Sequence, residues 1–217
     1  MKTIILFSLA FIFAVNSAPA PAPVLDTHGK YLRAGVGYIL IPLDGLVGGL
    51  YVRDLGKKSC SPGVVLSYNH EDSLPMTFAP VNPKKGAIRL STDVNIQFSG
   101  STTCDESNIL RLKYDKGMKQ YAVMAGGVEG NPGPETLDNW FKIEKTNDGY
   151  KFVYCPSVCS YCNVTCSDVG IVEDKDGWRR LALSNKPFNV GIVEDKEGLR
   201  RLALSDKPLS FVFFRTY

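Results

Sequence analysis

The sequence predicts an all-β protein of about a dozen short antiparallel strands, and three observations carry that prediction. No long stretch shows the 3.6-residue apolar period of an amphipathic helix. Short apolar runs recur instead, each closed by a turn rich in Gly, Asn, Asp or Pro. Within several runs the apolar residues alternate, as in Val94/Ile96/Phe98 and Leu110/Leu112/Tyr114, so one face is buried and the other wet. Strands of this number and spacing form a closed antiparallel barrel or a sandwich, between which the pattern does not choose.

In chain order, Lys2 and the apolar run Ile4 to Val15, broken only by Ser8 and followed by the small residues Ser17 and Ala18, read as a secretory signal peptide. The run is shorter than the roughly 20 residues a membrane span needs. Cleavage after Ser17 is expected, leaving residues 1–17 as signal and Ala18 to Pro23 as an extended Pro/Ala spacer. Residues 24–217 are long enough for one domain with a real core. The product is expected to be secreted or vacuolar, with no membrane partner. A net charge of +3 with acidic and basic residues interspersed describes an ordinary solvated surface, not the concentrated basic face of a nucleic-acid binder.

The strand readings are Gly37–Ile41, Leu50–Arg53, Leu74–Phe78, Ala87–Leu90, Val94–Phe98, Ile109–Tyr114, Gln120–Met124, Trp140–Ile143, Tyr150–Tyr154 and a closing strand Leu209–Phe214. Between the last two, Val169 to Pro187 recurs almost verbatim as Val190 to Pro208, differing only at Asp176/Glu197, Trp178/Leu199 and Asn185/Asp206. Each copy reads as a strand, a charged turn ending in Gly and a second strand, which is a β-hairpin. Two copies are too few for a solenoid. A local duplication is the reading, with the first copy in the native place and the second extruded or competing with it.

Six cysteines in an exported chain point to disulfides. Cys155, Cys159, Cys162 and Cys166 are spaced symmetrically about Ser160-Tyr161, which suits two nested rungs, Cys155–Cys166 and Cys159–Cys162, and leaves Cys60 for Cys104. A tetrathiolate zinc site is the alternative for the cluster, and the oxidising compartment disfavours it. Loop entropy gives roughly 4 kcal/mol for the 60–104 bridge and about half that for the small 159–162 ring. With no thiol left over, a monomer is expected.

Val24-Leu-Asp26-Thr-His-Gly29-Lys-Tyr-Leu32 and the following Tyr38-Ile-Leu40 resemble the N-terminal signature of the plant Kunitz, soybean-trypsin-inhibitor-type, family. Ser91 to Phe98, Gly126 to Glu135, Trp140 to Ile143 and Cys155 to Gly170 resemble its miraculin-like branch. The resemblance implies a β-trefoil of twelve strands in three pseudo-repeats, here with an extra duplicated C-terminal hairpin. It also implies reversible inhibition of a serine protease, trypsin-like first, by an extended substrate-like loop, with a cysteine protease as another partner. The loop falls at Ala79 to Gly86, with Pro80, Val81, Asn82, Pro83, Lys84 and Lys85 as candidates. Lys84 or Lys85 would meet the carboxylate of a trypsin-like pocket, or Asn82 if the register shifts. Two departures weaken inhibition: Ala34 stands where strong inhibitors of the family carry a loop-buttressing asparagine, and alanine has no amide to donate, and the loop differs in length from that of the best-known trypsin inhibitors of the family. The competing reading is a non-inhibitory trefoil with a storage, defence or binding role.

No enzyme is expected. His28 and His70 lie in polar turns outside any nucleophile–base motif, and Gly126 to Pro134 lacks the Lys-Ser/Thr and helix of a phosphate loop. No cofactor or metal is expected. Arg179-Arg180 and Arg200-Arg201 read as partners of the acidic residues across each hairpin turn, not as an anion-binding patch. Asn163-Val-Thr165 is a glycosylation sequon inside the disulfide hairpin.

Overall fold

The computed structural model describes residues 19–43, 48–56, 59–100, 104–184, 193–194, 200–201 and 208–216. The expected signal peptide and most of the second hairpin copy lie outside them. Six strands form a ring: β1 (Tyr38–Pro42), β4 (Met76–Pro80), β5 (Val94–Phe98), β8 (Lys142–Lys145), β9 (Tyr150–Tyr154) and β14 (Phe211–Arg215). Three hairpins cap it: β2 (Leu50–Asp54) with β3 (Pro62–Leu66), β6 (Arg111–Asp115) with β7 (Gln120–Met124), and β10 (Ser167–Glu173) with β11 (Arg179–Leu183). The hairpins meet one another through Gly63–Met124, Ala122–Ala182 and Arg180–Val65 pairings. Each third of the chain therefore supplies ring strand, cap hairpin, ring strand, which is a β-trefoil.

The ring is not a fully closed ladder. β1 with β14, β4 with β5 and β8 with β9 are regular antiparallel pairs. β5 and β8 meet only through the isolated Val94–Phe141 bridge, with N–O distances of 2.9 and 3.0 Å, because the chain turns out of the sheet on either side. A closed barrel thus holds in outline but not in its hydrogen-bond ladder.

Alternation explains the core. In β1 residues 38, 40 and 42 are buried and 39 and 41 are not, and β14 sends Phe211 and Phe213 inward. Phe213 packs edge-on to Phe78 (5.4 Å) and Phe211 (5.2 Å), and Phe211 lies 4.6 Å from Phe152. Removing one such ring costs about 3–5 kcal/mol. The expected wet face of β5 is an exception, since Asn95 is buried and bonded to the Asn139 carbonyl and the Gly130 amide. Ala87–Leu90, read as a strand, is instead a segment of isolated bridges to Pro23 and Arg33. β3, central in the cap, was not among the strand readings.

The cap shows the threefold most plainly. Asp54 and Asp115 end the first strands of their hairpins and Asp174 directly follows β10, and each Oδ1 accepts two backbone N–H groups of its own turn: Gly56 and Ser61, Gly117 and Met118, Asp176 and Trp178. This aspartate turn fits the residue's preference for bonding amides just beyond it. Arg180, 3% exposed, reaches among them, with Nη1 2.6 Å from Asp115 and 3.9 Å from Asp174. Arg179 is also buried and donates to the Ser67 carbonyl beneath the Tyr68 ring. The arginine pair therefore serves the cap and offers no basic surface. Its main ion partner, Asp115, belongs to another hairpin, whereas the sequence pointed to the arginines' own turn.

All six cysteines are paired as 60–104, 155–166 and 159–162, with Cα separations of 5.8, 4.5 and 5.5 Å, so no thiolate remains for zinc. The first hairpin copy is β10–β11, integrated through β3, β7 and β9. The second contributes β12 (Val193–Glu194) and β13 (Arg200–Arg201), which pair with each other in a separate two-stranded sheet.

Candidate functional site

The candidate loop leaves the ring between β4 and β5. Its first residues continue the extended course of β4: Pro80 is the last strand residue, Val81 N–H donates to the Asp93 carbonyl at 2.9 Å, and Asn82 has φ −110°, ψ 95°. Pro83–Lys85 then close into a 3-10 turn. Three local residues dictate this. Pro83 brings a φ already suited to a first helical position, Asn82 Oδ1 caps the Lys84 N–H at 3.3 Å, and Gly86 ends the turn at φ 56°, where a side chain would be strained. The expected extended loop is thus corrected: the strand ends at Pro80, Asn82 keeps extended backbone, and Lys84 sits in a 3-10 turn. Val81, Asn82, Pro83 and Lys84 are exposed, while Pro80 is partly covered. The Lys85 side chain is outside the described set.

The loop is held at its base. Ala34 N–H donates to the Gly86 carbonyl at 2.9 Å. Beyond it, Val24, Leu32 and Ile88, all fully buried, bond in a backbone cycle of 2.9–3.0 Å. Arg89 Nη1 reaches the Pro21 carbonyl at 2.7 Å, so the expected spacer touches the base of the loop. Asp93, 5% exposed, accepts from the Ser157 N–H and hydroxyl and ties the far end of the loop to the disulfide hairpin. Sequence reading passed over Asp93 and Asn95. The only signal was two polar residues in an apolar run, and their partners are 64 and 35–44 residues away.

Beside the loop lies a cleft of about 770 Å³. Ala34 and Gly35 form one wall, Pro80, Val81 and Pro83 another, and Glu129 to Pro132 the third, over Phe78, Ile109 and Trp140. Asn95 fixes the third wall through the Gly130 N–H at 2.7 Å. Ala34, half-buried, lines this cleft together with Pro80, Val81 and Pro83 of the loop.

Elsewhere, His28 is exposed and lies 5.9 Å from Phe214, and the His70 side chain is outside the described set. Asn163 and Thr165 are both exposed on the disulfide hairpin. Gly126 to Pro134 winds through left-handed Gly130 and Asn131 into the Pro134–Asn139 3-10 turn, as a structural connection. Tyr154 is pushed up to about 12 by burial, with Asp138 and Tyr121 adding to it, so its hydroxyl stays protonated at neutral pH.

The profile of the plant Kunitz family, described as trypsin and protease inhibitor, matches residues 24–191. The chain belongs to that family, in its miraculin-like branch. It is 45% identical to miraculin of Synsepalum dulcificum over 210 residues, 87% of this chain and 96% of that protein. It is 42% identical to Kunitz trypsin inhibitor 5 of Arabidopsis thaliana over 175 residues, 80% and 86% of the two chains. Among solved structures it is similar to a Kunitz-type cysteine protease inhibitor from potato, with TM-score 0.69, 30% identity and coverage of 91% and 98%. The Kunitz match ends at residue 191, soon after the first hairpin copy, before most of the second.

Proposed function

We propose that the protein is a secreted inhibitor of endopeptidases, serine proteases first, that acts through Pro80–Lys85 and has no enzymatic activity of its own. The observation that carries this reading is an exposed, proline-flanked loop whose two ends are hydrogen-bonded to buried backbone. Such a loop loses little freedom on docking, so a standard-sized interface suffices for tight binding. Residues 1–17 direct export, and Asn163, exposed with its Thr165, accepts a glycan on the way. A trypsin-like target requires Lys84 or Lys85 to enter its pocket, and the 3-10 turn must open for either to do so. The test is titration of the mature protein against trypsin, chymotrypsin, subtilisin and a papain-type protease. Sub-micromolar inhibition of one of them, abolished when Val81–Lys85 is replaced by Gly/Ser, supports the loop. Inhibition of none removes the reading for these targets.

The second reading, a non-inhibitory binding trefoil, is favoured by Ala34 and the cleft beside it. Ala34→Asn separates the two. A restored buttress contributes about 1 kcal/mol per hydrogen bond, so an inhibitor should tighten roughly five- to tenfold. A non-inhibitory trefoil should gain nothing.

A further inference from the structure

The loop offers a protease one asparagine and two lysines, and their backbones differ. We propose that Asn82 is the residue presented to the primary specificity pocket, and that the partner fitting this loop is an endopeptidase that cleaves after asparagine. The inference rests on the inhibitory reading of the loop given above.

A protease engages a substrate-like segment as an added strand, so the presented residue and those before it must be extended. Strand β4 meets that condition to Pro80 and Asn82 meets it again at φ −110°, ψ 95° after a bend at Val81, whereas Pro83 to Lys85 are helical. Asn82 is held extended by two independent causes. It precedes a proline, whose ring disfavours the helical region for the preceding residue, and its neighbour Val81 is fixed to Asp93. Presenting Lys84 instead would unwind Pro83–Lys85 and break the Asn82 cap. It would also disturb Gly86, whose carbonyl accepts from Ala34.

The side chain is as available as the backbone. Asn82 is exposed, and its Oδ1 accepts a long 3.3 Å bond from Lys84, which a pocket amide replaces at little cost. A carboxamide pocket discriminates strongly, because its buried donors and acceptors stay unpaired when an apolar side chain enters. The bond after Asn82 runs to the Pro83 nitrogen, which carries no hydrogen and is locked in a ring. An enzyme that seats Asn82 therefore faces a hindered bond, so the complex persists with the bond intact.

The test uses the full mature protein against an asparagine-specific endopeptidase and against trypsin, with Asn82→Ala, Asn82→Lys and Lys84→Ala. Both positions are exposed, and unchanged thermal melts confirm folding. The expected result is sub-micromolar inhibition of the asparagine-specific enzyme, weakened about a hundredfold or more by Asn82→Ala and far less by Lys84→Ala. Asn82→Lys should create trypsin inhibition by placing a lysine at the presented position. Trypsin inhibition lost in Lys84→Ala but kept in Asn82→Ala overturns this inference and leaves the inhibitory loop standing. Inhibition of the asparagine-specific enzyme that is indifferent to Asn82→Ala also overturns it. Inhibition of neither enzyme, with no gain from Asn82→Lys, overturns both.

Discussion

Residues 169–187 and 190–208 are nearly the same sequence in two different situations. The first copy is strand-paired to three neighbours, with all five residues of β11 buried. The second pairs Val193–Glu194 with Arg200–Arg201 in a sheet of its own. Local propensity is equal in the two, so the difference comes from what surrounds them. The first copy starts three residues after Cys166, which is bridged to Cys155. Its Asp168 forms a 2.7 Å ion pair with Lys151, and the equivalent residue before the second copy is the neutral Asn189. Its Trp178 lies 4.0 Å under the Arg53 guanidinium, and the second copy has Leu199 there. A hairpin of this kind is specified by its anchors as much as by its own pattern.

Substitutions at equivalent positions break or sharpen that contrast. The largest effect is expected from Leu181→Ala, which empties a fully buried site at a cost of about 3 kcal/mol. Leu202→Ala in the second copy should stay within about 0.5 kcal/mol. Urea melts measure both, and equal costs would mean the copies share the site. Hydrogen exchange on the same variants should show protected Leu181 and Ala182 amides beside fast Arg200 and Arg201.

Next comes the anchor on the neighbouring hairpin. Burial pushes the Asp115 carboxyl up, but the hydrogen bond from Arg180, the Met118 and Gly117 N–H groups and the Arg180 charge outweigh it, leaving the carboxyl below its ordinary value. A carboxyl lowered on folding stabilises at neutral pH, and that contribution disappears as pH falls through about 4 toward the lower folded value. Asp115→Asn should cost about 2 kcal/mol at pH 7, short of the figure for a fully buried pair because Asp115 is 21% exposed. In thermal melts the difference from wild type should shrink as pH falls below about 4. A smaller effect than that of Asp115→Asn is expected from Trp178→Leu, which gives the first copy the residue of the second. Losing the stacked cation should cost about 0.5–1 kcal/mol, and a larger loss would mean Trp178 is a chief determinant of which copy docks.

Much of the fold was legible in the sequence because its signals are local. Val94, Ile96 and Phe98 alternate and are all buried, and the cysteine spacing matched the nested bridges. β3 was not legible. Pro62-Gly-Val-Val-Leu66 is buried at every position, so it has no alternation, and its Pro and Gly argue against a central strand. The loop was located by resemblance, but its conformation was readable from Asn82-Pro83-Lys-Lys-Gly86, a capped turn with its own start and stop. Asp93 and Asn95 escaped notice, and Arg180 was assigned to its own turn instead of to Asp115, because these roles depend on partners many residues away, which no local pattern records.

The end of the second copy has a role apart from its hairpin. Pro208 bridges to Gly170, and Leu209 N–H bonds to the Val169 carbonyl at 3.0 Å, so the tail of copy two closes onto the head of copy one. Either copy ends in Ser-(Asn/Asp)-Lys-Pro followed by a large apolar residue, Phe188 or Leu209. A gene that gained or lost one repeat by unequal recombination would therefore keep both junctions in working order.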